Sequence, residues 1–140
     1  MSLNNIFDIS GSALVAETAR LKTSASNMSN ADVVTGSADE VYRAQYPIFT
    51  AVQEEAQQWM DSQTKAGVAL SGVYESNTDA VKRFEPNHPL ADKEGFVYAP
   101  NINSVEEMAN IISSSRAYEM GVSVLNTTKQ LIQRTLQLGE

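Results

Sequence analysis

The chain contains no cysteine, one histidine, one tryptophan and four prolines in 140 residues. Without cysteine it has neither disulfides nor thiolate chemistry. With a single histidine, the common zinc ligand sets cannot be completed. Positive charge is also scarce: 10 Lys and Arg stand against 17 Asp and Glu, for a net charge of −7. That balance, with no basic run, excludes a general binder of nucleic acid or anionic lipid. No stretch approaches the ~20 apolar residues that a membrane helix needs, so direct membrane insertion is not expected. The opening MSLNNIFDISGSALVAETARLK lacks a basic leader and places Asp8 and Glu17 inside any apolar segment. No cleavable secretory signal is expected from it. Phosphate-binding glycine loops, a G-x-S-x-G elbow, dinucleotide fingerprints, internal repeats and low-complexity tracts are all missing.

What is present is helical periodicity at both ends. Residues 3–31 hold no proline, and Phe7, Leu14, Leu21 and Met28 recur every seven residues beside a second, small row of Gly11, Thr18 and Ala25. This heptad stripe predicts a helix that packs closely on another. Near the C-terminus, Ser104 and Glu107 have the spacing of a capping box, which predicts that Ser104 caps the helix start. Beyond it Ile111, Tyr118, Leu125 and Ile132 fall seven apart, and Met108, Val122 and Leu136 share a second row with Ser115 and Lys129. Alternating spacings of three and four mark a supercoiled seam. A continuous helix there would be on the order of 50 Å long, too long to be covered by a 140-residue chain alone.

The middle differs. Asp32 to Asp39 carries turn-forming residues, and residues 41–52 are rich in aromatic and β-branched side chains, with Pro47 restricting them to an edge strand or extended segment. Residues 51–65 read as a short helix ended by Gly67. Residues 68–75 and 80–84, separated by Ser-Asn-Thr-Asp, read as a β-hairpin, and residues 96–98 as a further short strand. The expected fold class is therefore mainly α with a small β-rich middle: long N- and C-terminal helices form a coiled-coil or bundle arm, with a β-hairpin insertion between them. The corresponding regions are an N-terminal helical arm over 1–35, a β-rich middle with an extended joint over 36–103, and a C-terminal helical arm over 104–140 that pairs with the first. Charge follows the same division: residues 36–103 carry a net −5 and each end only −1, so the helical ends can pack without strong mutual repulsion.

Candidates for chemistry are few. His88 lacks a second histidine or a cysteine, and Pro86 and Pro89 suggest an extended stretch around it, so it is read as a ring hydrogen-bonded or packed within a turn. Glu54 with Glu55, and Glu106 with Glu107, are neighbours on expected helices. Consecutive helical side chains diverge by about 100°, so a solvated face or a favourable helix N-terminal charge explains them better than a carboxylate pair. Trp59 and Met60 read as an interface or core pair. No catalytic residue, cofactor site, metal site or small-molecule substrate is expected.

FDISGSALVAETARLKTSASNMSNAD (7–32), with its closing N-x-x-N-A-D, resembles the N-terminal helix of bacterial flagellar basal-body rod proteins, and VYRAQYPIF (41–49) continues the likeness. FEPNHPLADKEGFVYAPNIN (84–103) is the most distinctive stretch, through Pro86, Asn87, His88, Pro89, Leu90, Ala91 and Asp92 and then Tyr98, Pro100 and Asn101. VEEMANIISSSRAYEMGVSVLNTTKQLIQRTLQLGE (105–140) completes it. The similarity is closest to the proximal-rod members, thins between residues 50 and 82, and departs at VVTGSADE (33–40), where related proteins have a Thr-Pro-Gly-Tyr type of sequence. The resemblance implies a non-enzymatic building block of the flagellar axis within the periplasm. It also implies export by the flagellum's own type III apparatus, and polymerisation with other copies and neighbouring rod proteins. The assembly interface would be the heptad rows, and residues 84–103 a rigid joint. The competing class is a cytosolic helical binding module or export chaperone.

Overall fold

The computed structural model describes residues 3–53 and 66–137. Its elements run α1 (Leu3–Asn30), a short 3-10 turn (Ala38–Glu40), β1 (Gln45–Gln53), β2 (Ala66–Glu75), β3 (Val81–Phe84), β4 (Phe96–Ala99) and α2 (Ser104–Gln137). The two long terminal helices around a small β-rich middle match the expected class. β1 includes Pro47, and among the described residues each sheet has two strands, so every strand lies at an edge.

Three local expectations are corrected. The strands over 68–75 and 80–84 exist, but they do not form a hairpin with each other: β2 pairs with β1, and β3 pairs antiparallel with β4. Residues 51–53 belong to β1, not to a helix; the rest of that expected helix, with Glu54, Glu55, Trp59 and Met60, lies outside the described residues. The cap of α2 is Asn103, whose Oδ1 accepts from the amides of Val105 at 3.1 Å and Glu106 at 3.4 Å. Ser104 does not take that role because Glu107, the second half of the capping box, points elsewhere.

The chain divides into two compact units. Among the described residues the first comprises 3–19, 48–53, 66–72 and 113–137. In it, Leu14 of α1 lies against Gly121 of α2 so closely that a Cβ on Gly121 would sit 2.8 Å from Leu14 Cδ2. A glycine here is a hole for a leucine knob. Among the described residues of this unit the buried side chains are small or hydroxylated: Ser10, Ala16, Ser114 and Thr128. Ser12 Oγ accepts the Val68 amide at 3.2 Å, fastening β2 to α1.

The second unit comprises residues 20–47 and 73–112. Its core is Ala31, Ala44, Val97 and Ala99. β4 brings Val97 and Ala99 to one face, opposite Arg83 and Val81, while Lys82–Tyr98 and Phe84–Phe96 pairs occupy the other. Phe84 and Phe96 meet edge to face at 5.3 Å, and the Lys82 ammonium lies over the Phe96 and Tyr98 rings at 5.7 and 5.5 Å. A bridge between Thr35 and Tyr98 ties the exit of α1 to the outer edge of β4.

Candidate functional site

Two polar constellations organise the second unit. The first centres on Asn27, which is fully buried. Its Nδ2 donates to the Gln45 carbonyl at 3.0 Å and to Glu107 Oε1 at 3.2 Å; its Oδ1 accepts from the Gln45 amide at 2.8 Å and the Tyr42 hydroxyl at 3.0 Å. Ser26 Oγ shares a further bond with that hydroxyl at 2.9 Å. Three segments thus meet on one side chain: α1, the start of β1 and the start of α2. Glu107 is 3 % exposed, so of the two expected readings the solvated face holds for its exposed neighbour Glu106 alone, while the acidic first turn of α2 includes both. Its Oε2 is buried and reached by no donor among the described residues. Partial burial, and then the carboxylates of Glu107 and Glu106, hold the Tyr46 phenol above its ordinary pKa.

The second constellation is the segment 84–95. The prediction of an extended stretch around His88 is corrected: His88 donates its amide to the Glu85 carbonyl and Ala91 donates to the His88 carbonyl, each at 3.0 Å, so the prolines punctuate successive turns. The His88 ring accepts the Leu90 amide on Nδ1 at 3.1 Å, a histidine hydrogen-bonded within its own turn. Asp92 is the hub. Its Oδ1 accepts from the Phe96 amide at 2.8 Å and the Glu94 amide at 2.9 Å, and its Oδ2 accepts from the Tyr98 hydroxyl at 3.2 Å. Those donors, the Phe96 amide foremost, hold the Asp92 carboxyl below the ordinary aspartate value against a smaller opposing effect of burial. Gly95 closes the turn at φ +85°, a conformation that costs L side chains strain.

The heptad residues fall into two groups. Phe7, Leu14, Leu21, Ile111, Leu125 and Ile132 are half-buried, whereas Met28, Met108, Tyr118, Val122 and Leu136 are exposed. Of the joint residues, Pro100 is buried, His88, Ala91, Asp92 and Tyr98 are half-buried, and Pro86, Asn87, Pro89, Leu90 and Asn101 are exposed. Sequence periodicity missed the Asn27–Glu107 contact, although Asn27 opens the N-x-x-N-A-D run that marks the end of α1. A shallow polar cleft of ≈150 Å³ opens between Asp39, Arg43, Asn77 and Asn101. Among the described residues no group of three His, Asp or Glu is placed to hold a metal ion, and no helix is long and apolar enough to cross a membrane.

Comparison with known proteins places these features. Residues 93–138, which include β4 and all of α2, match the family described as flagellar basal body rod FlgEFG protein C-terminal. Over the full length of both chains, the sequence is 45 % identical to the flagellar basal-body rod protein FlgC of Yersinia enterocolitica. It is 44 % identical to that of Salmonella typhimurium, again over the full length of both. The FlgC of Buchnera aphidicola from Acyrthosiphon pisum is 32 % identical, also over the whole of each chain. The class is a structural subunit of the flagellar basal-body rod, not an enzyme; the chaperone alternative finds no support. Within that class, the chain belongs to the FlgC family of flagellar basal-body rod proteins.

Proposed function

We propose that the chain polymerises through its terminal helices into the axial drive shaft that crosses the periplasm and passes motor torque to the hook. The observation that carries this reading is where α2 keeps its large apolar side chains. Val105, Met108, Ile112, Met120, Val124, Leu131 and Leu136 are exposed, Leu136 at 69 %, while Ser114, Thr128 and Glu107 are buried. A helix that buries small and polar residues and exposes its large apolar ones has an interface still to fill. Each Å² of apolar surface covered there contributes about 25 cal/mol.

In this reading Met28, Met108, Tyr118, Val122 and Leu136 meet neighbouring subunits, and Phe7, Leu14, Leu21, Ile111, Leu125 and Ile132 complete a coiled-coil arm formed by residues 1–35 and 104–140. The segment from Pro86 to Asp92, with Tyr98, Pro100 and Asn101, is the rigid joint that carries the β-rich middle on that arm. Contacts between subunits are heterologous, so one patch repeats along the axis without closing on itself. Partners are other copies and neighbouring rod proteins, and the flagellar type III apparatus exports the chain without a cleavable signal.

Replacing Met108 and Leu136 together by glutamate tests the reading. The expected result is loss of incorporation into basal bodies and loss of motility, with the helical circular dichroism of the purified chain retained. Gln133→Glu, on the same helix at an exposed polar position, should leave both unchanged. Normal motility and incorporation in the Met108/Leu136 double variant would overturn it.

A further inference from the structure

We propose that Asn27 is a register lock: it selects one pairing of α1 with α2 and fixes where β1 leaves that pair. The carboxamide is saturated. Its two N–H groups go to Gln45 O and Glu107 Oε1, and its oxygen receives Gln45 N–H and Tyr42 O–H, so every donor and lone pair is used. Paired both ways with the Gln45 backbone, the side chain acts as a short length of strand edge presented by a helix.

Apart from the Leu14–Gly121 contact, the surrounding seam carries little that sets register by itself. Glu107, Ser114, Gly121 and Thr128 recur every seven residues along α2, and Ser10, Glu17, Ser24 and Ala31 do so along α1. A slip of one heptad would mostly exchange one small or polar side chain for another, with its steric cost confined to Leu14, which would meet the Cβ of Ser114 or Thr128 in place of Gly121. It would, however, strip Asn27 of Glu107 in the interior, where an unmade hydrogen bond is expensive. The buried, unpartnered Oε2 of Glu107 points the same way. Two apolar side chains would fill the space without an orphan oxygen, so the pair contributes uniqueness at the expense of stability, the best-attested use of a buried polar group in a helical seam.

The absence of cysteine makes the test clean. Ser24 lies one turn before Asn27 on α1 and Ile111 one turn after Glu107 on α2, so an antiparallel pairing of the helices at Asn27 and Glu107 brings these two positions opposite each other. Ser104 lies one heptad from Ile111. In the full-length chain, disulfide capture of Ser24→Cys with Ile111→Cys reports the observed register, and Ser24→Cys with Ser104→Cys reports the slipped one. The expected preference for the first pair is at least tenfold. Asn27→Ala should reduce it to threefold or less, and Glu107→Ala should do the same while leaving the Gln45 contact intact. Glu107→Gln keeps an oxygen for the Asn27 amide and should retain the full preference. If Asn27→Ala prevents folding, Glu107→Ala carries the test by itself. A tenfold preference that survives Glu107→Ala, or that Glu107→Gln destroys as completely as alanine does, would overturn the proposal.

Discussion

Replacing Gly95 by alanine tests the turn that joins β3 to β4. Gly95 sits at φ +85°, where a β-carbon costs about 1–2 kcal/mol. That carbon would also lie 3.1 Å from Phe84 Cε2, 3.2 Å from Pro86 Cβ and 3.4 Å from Pro86 Cα. Phe84 can give way at its exposed edge, but the proline ring cannot rotate, so crowding adds about 1–2 kcal/mol. The expected loss is therefore about 2–4 kcal/mol, read as a lower midpoint in urea at unchanged slope. Gly72→Ala is the control, since a β-carbon there meets nothing within 4 Å; it should stay within about 0.5 kcal/mol of the parent. A Gly95→Ala midpoint indistinguishable from that control would refute the reasoning, because neither the strain nor the contact with Pro86 would then exist in solution.

Other outcomes follow from the same geometry. The Asp92 carboxyl is held below its ordinary value by the Phe96 amide first, so its contribution to stability is complete above the ordinary aspartate range and is lost as pH falls through the lowered folded value. The Phe96 amide shift should accordingly stay constant on acidification until below that range; in Asp92→Asn this titration step should vanish. Gly121→Leu should destabilise by about 1–3 kcal/mol through overpacking against Leu14, partly offset by about 1 kcal/mol of helix propensity. Leu14→Ala placed in the same chain should recover part of that loss in a double-mutant cycle, and strict additivity would contradict the knob-and-hole contact.

The helices were legible because a seven-residue period sustained across α1 and α2 leaves no competing interpretation. Strand existence was legible too, whereas strand partners were not. Alternation and turn residues around residues 76–80 announce that a strand ends, but not what the next one pairs with. The partner of β3 lay beyond the Asp92 turns, where Phe84 finds Phe96. The capping box failed for a tertiary reason: Glu107 is drawn to buried Asn27, and Asn103 takes the helix end in its place. A buried asparagine has no periodic signature of its own, so the junction that joins α1, β1 and α2 stayed hidden in a run of Ser and Asn. Proline content suggested an extended stretch around His88, whereas the chain there makes successive turns knotted on Asp92.

The central claim is that this chain is a rod subunit held by its terminal helices. Imaging of purified basal bodies at a resolution that traces side chains tests it most directly. The chain is expected within the rod, with α1 and α2 packed against neighbouring subunits through Met108, Val122 and Leu136 and the 84–103 segment outside that contact. Basal bodies that lack the chain, or rods in which those side chains face solvent, would contradict it.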